Sequence, residues 1–331
     1  MHHTPDAKGE LLADRYELVE LAGQGGMATV WRAVQHGAAG FSRPVGIKRL
    51  RPELMGQREF VSMFIEEARV CAELVHPNVV QVYDFGYDAG GYFLVMEWVE
   101  GVSLAHYLES YLRKQEFAPW TLVTAIGIEA LRALSAAHVR IDRNGDPAPV
   151  YHRDVSPANI LLGLNGIVKL SDFGLARAMD RARTTAPDIV KGKVGYLAPE
   201  MLESAHPTPQ SDIYALGVVL WQALAGRRLF VGDNDIDIFL EARRADIPPV
   251  VEFRNDLPQE LTATVERALA RDPDDRFRSA RQMGRVLANL LRTVSVPTDA
   301  KVLAQSVAAA RVEMAFARSQ EAEESHGVHT E

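Results

Sequence analysis

The stretch "HRDVSPANILL", His152 to Leu162, sets an acid, Asp154, and an amide, Asn159, five positions apart, directly before a short apolar run. A carboxylate can accept a proton from a hydroxyl nucleophile, and an amide carbonyl oxygen is a hard ligand of the kind Mg²⁺ takes. Ser156 and Ala158 stand between them, where a phosphate-handling site calls for a cation. The positive charge has to come from elsewhere in the chain.

Working outward, Asp172 in "LSDFGLAR" follows Asn159 by 13 residues, with the strand-like segments "ILLGL" and "IVKLSD" between them. Such a hairpin can bring both oxygen ligands to one metal ion, and Gly174 permits a backbone turn just after. An Asp capping a loop is the plainer alternative. Lys48 lies in the apolar strand "VGIK", where a buried charge needs a partner. Glu66 and Glu67 on the following helix are the candidates, phosphate oxygens the others, and a Lys snorkelling from the strand edge is the alternative. Gly23, Gly25 and Gly26 sit between two strands. There the backbone can close over a polyphosphate while Val30 covers a flat base, although a tight hairpin without a ligand needs glycines too. A strand rather than a helix follows them, which argues against a dinucleotide fold.

The chain has 331 residues, 47% of them hydrophobic, enough for one large domain or two lobes. Its 36 Lys and Arg against 44 Asp and Glu give a net charge of −8 and a pI near 5.7, the reverse of a nucleic-acid or anionic-lipid footprint. The single cysteine, Cys71, excludes an internal disulfide framework and a cysteine-based zinc site, and fits a reducing compartment. No signal-peptide run opens the chain, and the longest apolar run, 215–226, is too short to span a bilayer. The expectation is a soluble, cytoplasmic protein.

Residues 16–34 read as strand, glycine loop, strand, and "RPVGIKRL" as a further strand. Phe60, Phe64, Ala68, Cys71 and Val75 recur at helical spacing, and "HPN" closes that helix. "VVQVYDFGY" and "GYFLVMEWVE" are two more strands, so residues 16–100 form a small α+β lobe. Helical patterns then fill 103–113, 120–139, 210–226, 235–244, 258–271 and 279–293, with a polar surface insertion at 140–151. After Pro297 a separable tail carries a heptad seam, Leu303, Val307, Ala310, Met314 and Ala317. It either docks on its own domain or self-associates.

These motifs, in this order, resemble eukaryotic-type protein kinases, specifically the bacterial serine/threonine kinases of that type; the motif set is a standard one for that family. The resemblance implies a bilobal α+β fold, with an N-terminal extension (1–14), a kinase domain (15–293, lobes 15–100 and 101–293) and a tail (294–331). It implies ATP and Mg²⁺, with Mn²⁺ an alternative, a protein substrate, and no nucleic acid or membrane partner.

The resemblance also assigns residues. Leu21, Gly23, Gly25, Gly26, Val30, Gly46, Met96, Glu97, Val99 and Leu161 would surround the nucleotide, with Ala28 at the third glycine position and Glu97 to Val99 as the hinge. Gly46 in place of the usual alanine implies a roomier pocket roof. Lys48 would hold phosphates and pair with Glu67 in preference to Glu66. Asp154 would orient or deprotonate the substrate hydroxyl, and Asn159 and Asp172 would hold the metal. Glu200 of "GYLAPE" would pair with Arg276 of "DPDDRF", and Asp212 would anchor the catalytic loop. Cys71, Val82, His152 and Phe173 would stack in an internal spine. Arg153, a buried cation without a fixed partner in this reading, implies control by phosphorylation of Thr184 or Thr185, including autophosphorylation in trans.

Most serine/threonine kinases carry Lys two residues after the catalytic Asp and Thr in a "GT" pair late in the segment. Here those places hold Ser156 and Lys193. The two residue types read as exchanged, so Lys193 would supply the cation and Ser156 the hydroxyl. The rival readings are a catalytically impaired scaffold and a small-molecule phosphotransferase of related fold. The Ser/Thr reading rests on the bacterial pattern, including "HPN" and "SPAN".

Overall fold

The apolar and polar alternation of the first hundred residues folds into an antiparallel sheet of order β1-β2-β3-β4-β6-β5. Its strands are β1 (Leu11–Leu12), β2 (Tyr16–Gln24), β3 (Ala28–His36), β4 (Ser42–Leu50), β5 (Val82–Asp88) and β6 (Gly91–Glu97). The computed structural model describes residues 7–88, 90–173, 194–203 and 205–327. Gly174, Thr184, Thr185 and Lys193 therefore lie outside the described residues.

Both faces of the sheet are apolar, so both must be covered. Leu18, Trp31, Ala33, Val45, Ile47 and Phe93 close one side with Leu12 and Tyr16. On the other, Leu50 and Leu94 meet Phe60, Phe64 and Ala68 of α1 (Arg58–Glu73). The predicted stripe on α1 runs one residue too far. The helix stops at Glu73, Leu74 turns inward, and Val75 is 80% exposed.

Within the N-terminal extension, residues 9–12 are tied to the sheet. β1 pairs with β2, Leu12 is buried, and Gly9 N donates to Leu18 O at 2.7 Å. Glu10 and Asp88 both pair with the buried Arg49, at 3.3 and 3.0 Å. This clamp gives the segment a fixed seat.

The second lobe begins with β7 (Gly101–Ser103), which pairs with β8 (Ile160–Gly163), itself paired with β9 (Val168–Leu170). Its helices are α2 (Leu104–Arg113), α3 (Trp120–His138), α4 (Pro199–Leu202), α5 (Pro209–Ala225), α6 (Asp235–Arg244), α7 (Gln259–Ala268), α8 (Ala280–Arg292) and α9 (Ala300–Gly327). α5 is buried nearly all round, so it carries no polar stripe; a Thr208–Ser211 capping box starts it and Gly226, in the left-handed region, ends it. α3 has the length and hydropathy of a membrane span, but its apolar surface packs against α5, α8 and β9. In the 140–151 insertion the Asp142 carboxylate accepts from the backbone of Asn144 and Asp146, a turn cap.

The tail is not separable. Leu303, Val307 and Ala310 belong to the main core of the second lobe, and Met314 and Ala317 are also buried. α9 lies along α2 and β7. The seam thus docks on its own domain, the first of its two readings, because α2 supplies the apolar face that it needs.

Candidate active site

Lys48 sits in the middle of β4, cross-strand from Val30 and Leu94, and is only 4% exposed. Its Nζ donates to Glu67 Oε1 and to Asp172 Oδ1, each at 2.6 Å. The inward face of α1 selects between the two glutamates: Glu67 is buried beside Phe64 and Ala68, whereas Glu66 is half-buried. Burial opposes the charge on Lys48, but the carboxylates of Asp172 and Glu67 outweigh it and hold the ammonium above its ordinary value. Burial pushes the Glu67 carboxyl up to about 7, against the pull of Lys48. Its second oxygen, Oε2, is buried and has no hydrogen-bond partner.

The loop from His152 to Asn159 is shaped from beneath by Asp212, which is fully buried on α5. Asp212 accepts from the backbone N–H of His152 and of Arg153, both at 2.8 Å, and is bonded to His138 Nε2 at 2.8 Å. Burial works against its charge, yet His138 and these donors hold the carboxyl below its ordinary value. Arg153 has φ 64°, and Asp172 has φ 62°. Both are non-glycine residues in the left-handed region, a strain that the surrounding bonds must sustain. The Asn159 amide nitrogen donates to Asp154 O at 2.8 Å and Oδ2 at 2.9 Å, which fixes the acid and leaves the amide oxygen as an acceptor. Ser171 N donates to Asn159 O at 2.9 Å, tying β9 to the loop so that Asn159 and Asp172 face one region.

His152 Nε2 lies 2.9 Å from Ser171 O, and its ring is 4.5 Å from that of Phe173. Burial keeps this imidazole below its ordinary value. Cys71 Sγ donates to Phe173 O at 3.2 Å, and Val82 packs against the same core. The expected spine is present, and burial raises the Cys71 thiol well above its ordinary value, so the cysteine packs rather than reacts. Glu200 makes a two-pronged pair with Arg276 at 2.7 and 2.8 Å.

Around the nucleotide region, Gly25 N donates to Ala28 O at 2.9 Å to close the glycine turn. Val30 and Leu161 are half-buried, and Leu21 is 45% exposed. The roof above Gly46 is not roomier. A Cβ there would lie 3.1 Å from Met96 Cγ, so Met96 occupies the space that the missing methyl leaves. On the hinge, Glu97 pairs with Lys169 at 2.8 Å. The backbone groups of Val99 enter no backbone bond among the described residues.

Two expectations change. Arg153 is half-buried and is not without partners, so it is no uncompensated buried cation. Ser156 is 4% exposed, and its Oγ has no hydrogen-bond partner. Several supporting groups were missed in the sequence: His138 beneath Asp212, Arg49 clamping the N-terminal segment, and Lys169 on Glu97. His138 had a signal, a histidine in the last turn of a long helix, but its partner lies 74 residues away.

The family described as "Protein kinase domain" matches residues 16–285. Among relatives, the protein named tyrosine-protein kinase MasK of Myxococcus xanthus is 39% identical, over 83% of this chain and 43% of its own length. The serine/threonine-protein kinase PrkC of Bacillus subtilis is 34% identical, over 83% of this chain and 40% of its own. The serine/threonine-protein kinase PknL of Mycobacterium tuberculosis is 34% identical, over 87% and 68%. The chain thus spans about two fifths of the length of the first two relatives. The PknI kinase domain of M. tuberculosis superposes with a TM-score of 0.64 at 28% identity, covering 86% of this chain and 99% of that one. With a lysine shared between the buried carboxylate of Glu67 and the half-buried one of Asp172, and an Asp–Asn loop seated on Asp212, the chain belongs to the protein kinase domain family.

Proposed function

We propose that this chain transfers the γ-phosphoryl group of ATP to serine or threonine hydroxyls of protein substrates. The observation that carries the reading is the lysine bridge: Lys48 Nζ is held at 2.6 Å from both Glu67 and Asp172, from opposite lobes. That places a cation where phosphate oxygens can replace or join a carboxylate. Asp154, fixed by Asn159, is then positioned to orient and deprotonate the acceptor hydroxyl. Asn159 and Asp172 offer hard oxygen donors, which fit Mg²⁺ or Mn²⁺. Asn159 and Asp172 would hold the ion, and it would bring the ATP phosphates close to Asp154. Mg²⁺, when bound, neutralises developing phosphate charge.

The complete set of Lys48, Asp154 and Asp172 favours a working enzyme over a scaffold. The Glu200–Arg276 pair, which fixes the end of a protein-docking segment, favours a protein substrate over a small molecule. Tyrosine is the second reading, because MasK is named for it and no lysine stands at Ser156. Control by autophosphorylation at Thr184 or Thr185 is part of the proposal; unchanged activity in the double alanine variant would remove it. The general test is transfer from labelled ATP to a protein substrate with Mg²⁺ or Mn²⁺, beside Lys48→Met and Asp172→Ala.

A further inference from the structure

The family match ends at residue 285, yet α9, Ala300 to Gly327, packs back against α2, β7 and β8 of the second lobe. Three contacts bring it there. At its start, Ala300 lies against the β8–β9 turn so closely that any side chain at Gly166 would collide with its carbonyl. That hairpin joins Asn159 to Asp172. In its middle, Ser306 Oγ is bonded to the hydroxyls of Tyr107 and Tyr111 on α2, at 2.8 and 2.9 Å. Further on, Arg311 Nη2 pairs with Glu100 Oε1 at 2.6 Å.

Glu100 directly follows the hinge and uses its other oxygen on it: Trp98 Nε1 donates to Glu100 Oε2 at 2.8 Å. Its backbone is also pinned, with Leu164 N donating to Glu100 O at 2.8 Å. The Trp98 bond and, behind it, Arg311 hold the Glu100 carboxyl below its ordinary value. Polar contacts therefore hold the hinge at both ends, with Gln81 also bonded to Glu97. Lys169 holds Glu97 from the side of the nucleotide floor; the chain Arg311, Glu100, Trp98 holds the other end from a helix outside the family match.

We infer that α9 braces the nucleotide hinge, with Arg311 acting as a positioning residue for ATP binding through Glu100 and Trp98. The inference rests on the ATP-dependent reading above and adds a determinant to it. Since the Arg311 and Glu100 side chains are 45% and 46% exposed, the effect is modest and sensitive to salt.

The test uses the full chain and reads nucleotide affinity by calorimetry, together with KM for ATP and kcat. Arg311→Glu and Glu100→Gln should each weaken ATP binding about three- to fivefold, with kcat within about twofold and the thermal midpoint near that of the parent. Arg311→Lys should retain most of the affinity. Glu313→Gln, which breaks the Lys114–Glu313 pair (3.2 Å) on the same helix, should leave affinity unchanged. The gap between parent and Arg311→Glu should narrow in 1 M salt, where screening shortens to about 3 Å. Unchanged affinity in Arg311→Glu, or an equal loss in Glu313→Gln, overturns the brace while leaving the kinase reading standing. Failure of the parent to bind ATP at all overturns both.

Discussion

Asp154 accepts a hydrogen bond from its own loop partner, Asn159, which orients the carboxylate in the site. Replacing it with Asn keeps the shape and removes the proton acceptor. Asp154→Asn should lower kcat by about 10²- to 10⁴-fold with little change in nucleotide affinity, as steady-state rates would show. Glu67 gives a pH prediction. Its folded value of about 7 lies above the ordinary 4.5, so the Lys48 partner is fully ionised only above neutrality. In free enzyme, kcat/KM for ATP should climb as pH rises through about 7, and Glu67→Gln should lose that rise along with most activity. Stability runs the other way. Between about 4.5 and 7 the folded state keeps a proton that the unfolded state has released, so this group's contribution falls as pH rises. Ser156 Oγ is a buried hydroxyl with no partner, at a cost of about 1–3 kcal/mol, so the proposed exchange of roles with Lys193 needs a direct test. Lys193→Thr should cripple turnover, and adding Ser156→Lys should restore part of it. Strict additivity in that cycle contradicts the exchange.

At the scale of elements, α9 makes the plainest structural prediction. Leu303 is 4% exposed within the main core, so Leu303→Ala should destabilise by about 2–5 kcal/mol in urea denaturation. A tail that merely hangs from the domain predicts no measurable change. The seam residues were all legible from their spacing, because a heptad stripe declares which side is buried. What it could not declare was the partner, since Tyr107 and Tyr111 lie about 200 positions away from Ser306. The same limit explains β1 and β7. Two- and three-residue strands carry no period, and only their pairing with β2 and β8 makes them strands. α5 and α3 were legible as the long helical patterns 210–226 and 120–139, whereas the Thr208 cap that starts α5 shows only in the structure.

The molecule as a whole is two lobes joined by charge as well as by chain. Lys48 on the small lobe meets Asp172 of the large one, and Arg49 gathers Glu10 and Asp88 behind it. In the large lobe Arg276, with a fully buried side chain, satisfies Glu200 and three backbone carbonyls, those of Ala270, Gln210 and Arg271. Arg276→Ala would leave Glu200 facing an empty buried site, and about 3–5 kcal/mol of stability should be lost in thermal or denaturant unfolding. The motif residues Lys48, Glu67, Asp154, Asn159 and Asp172 were readable because each had a recognisable neighbourhood in sequence. Their supports, His138, Lys169 and Arg311, were not, since an ion pair across the fold leaves no local pattern.

The central claim is tested most directly by incubating the full chain with γ-labelled ATP, Mg²⁺ and a protein substrate, then identifying the labelled amino acid, with Lys48→Met and Asp154→Asn in parallel. Label on serine and threonine that disappears in both variants is the predicted result. Label on tyrosine alone contradicts the acceptor assignment, and no transfer, or transfer indifferent to both substitutions, contradicts the catalytic account.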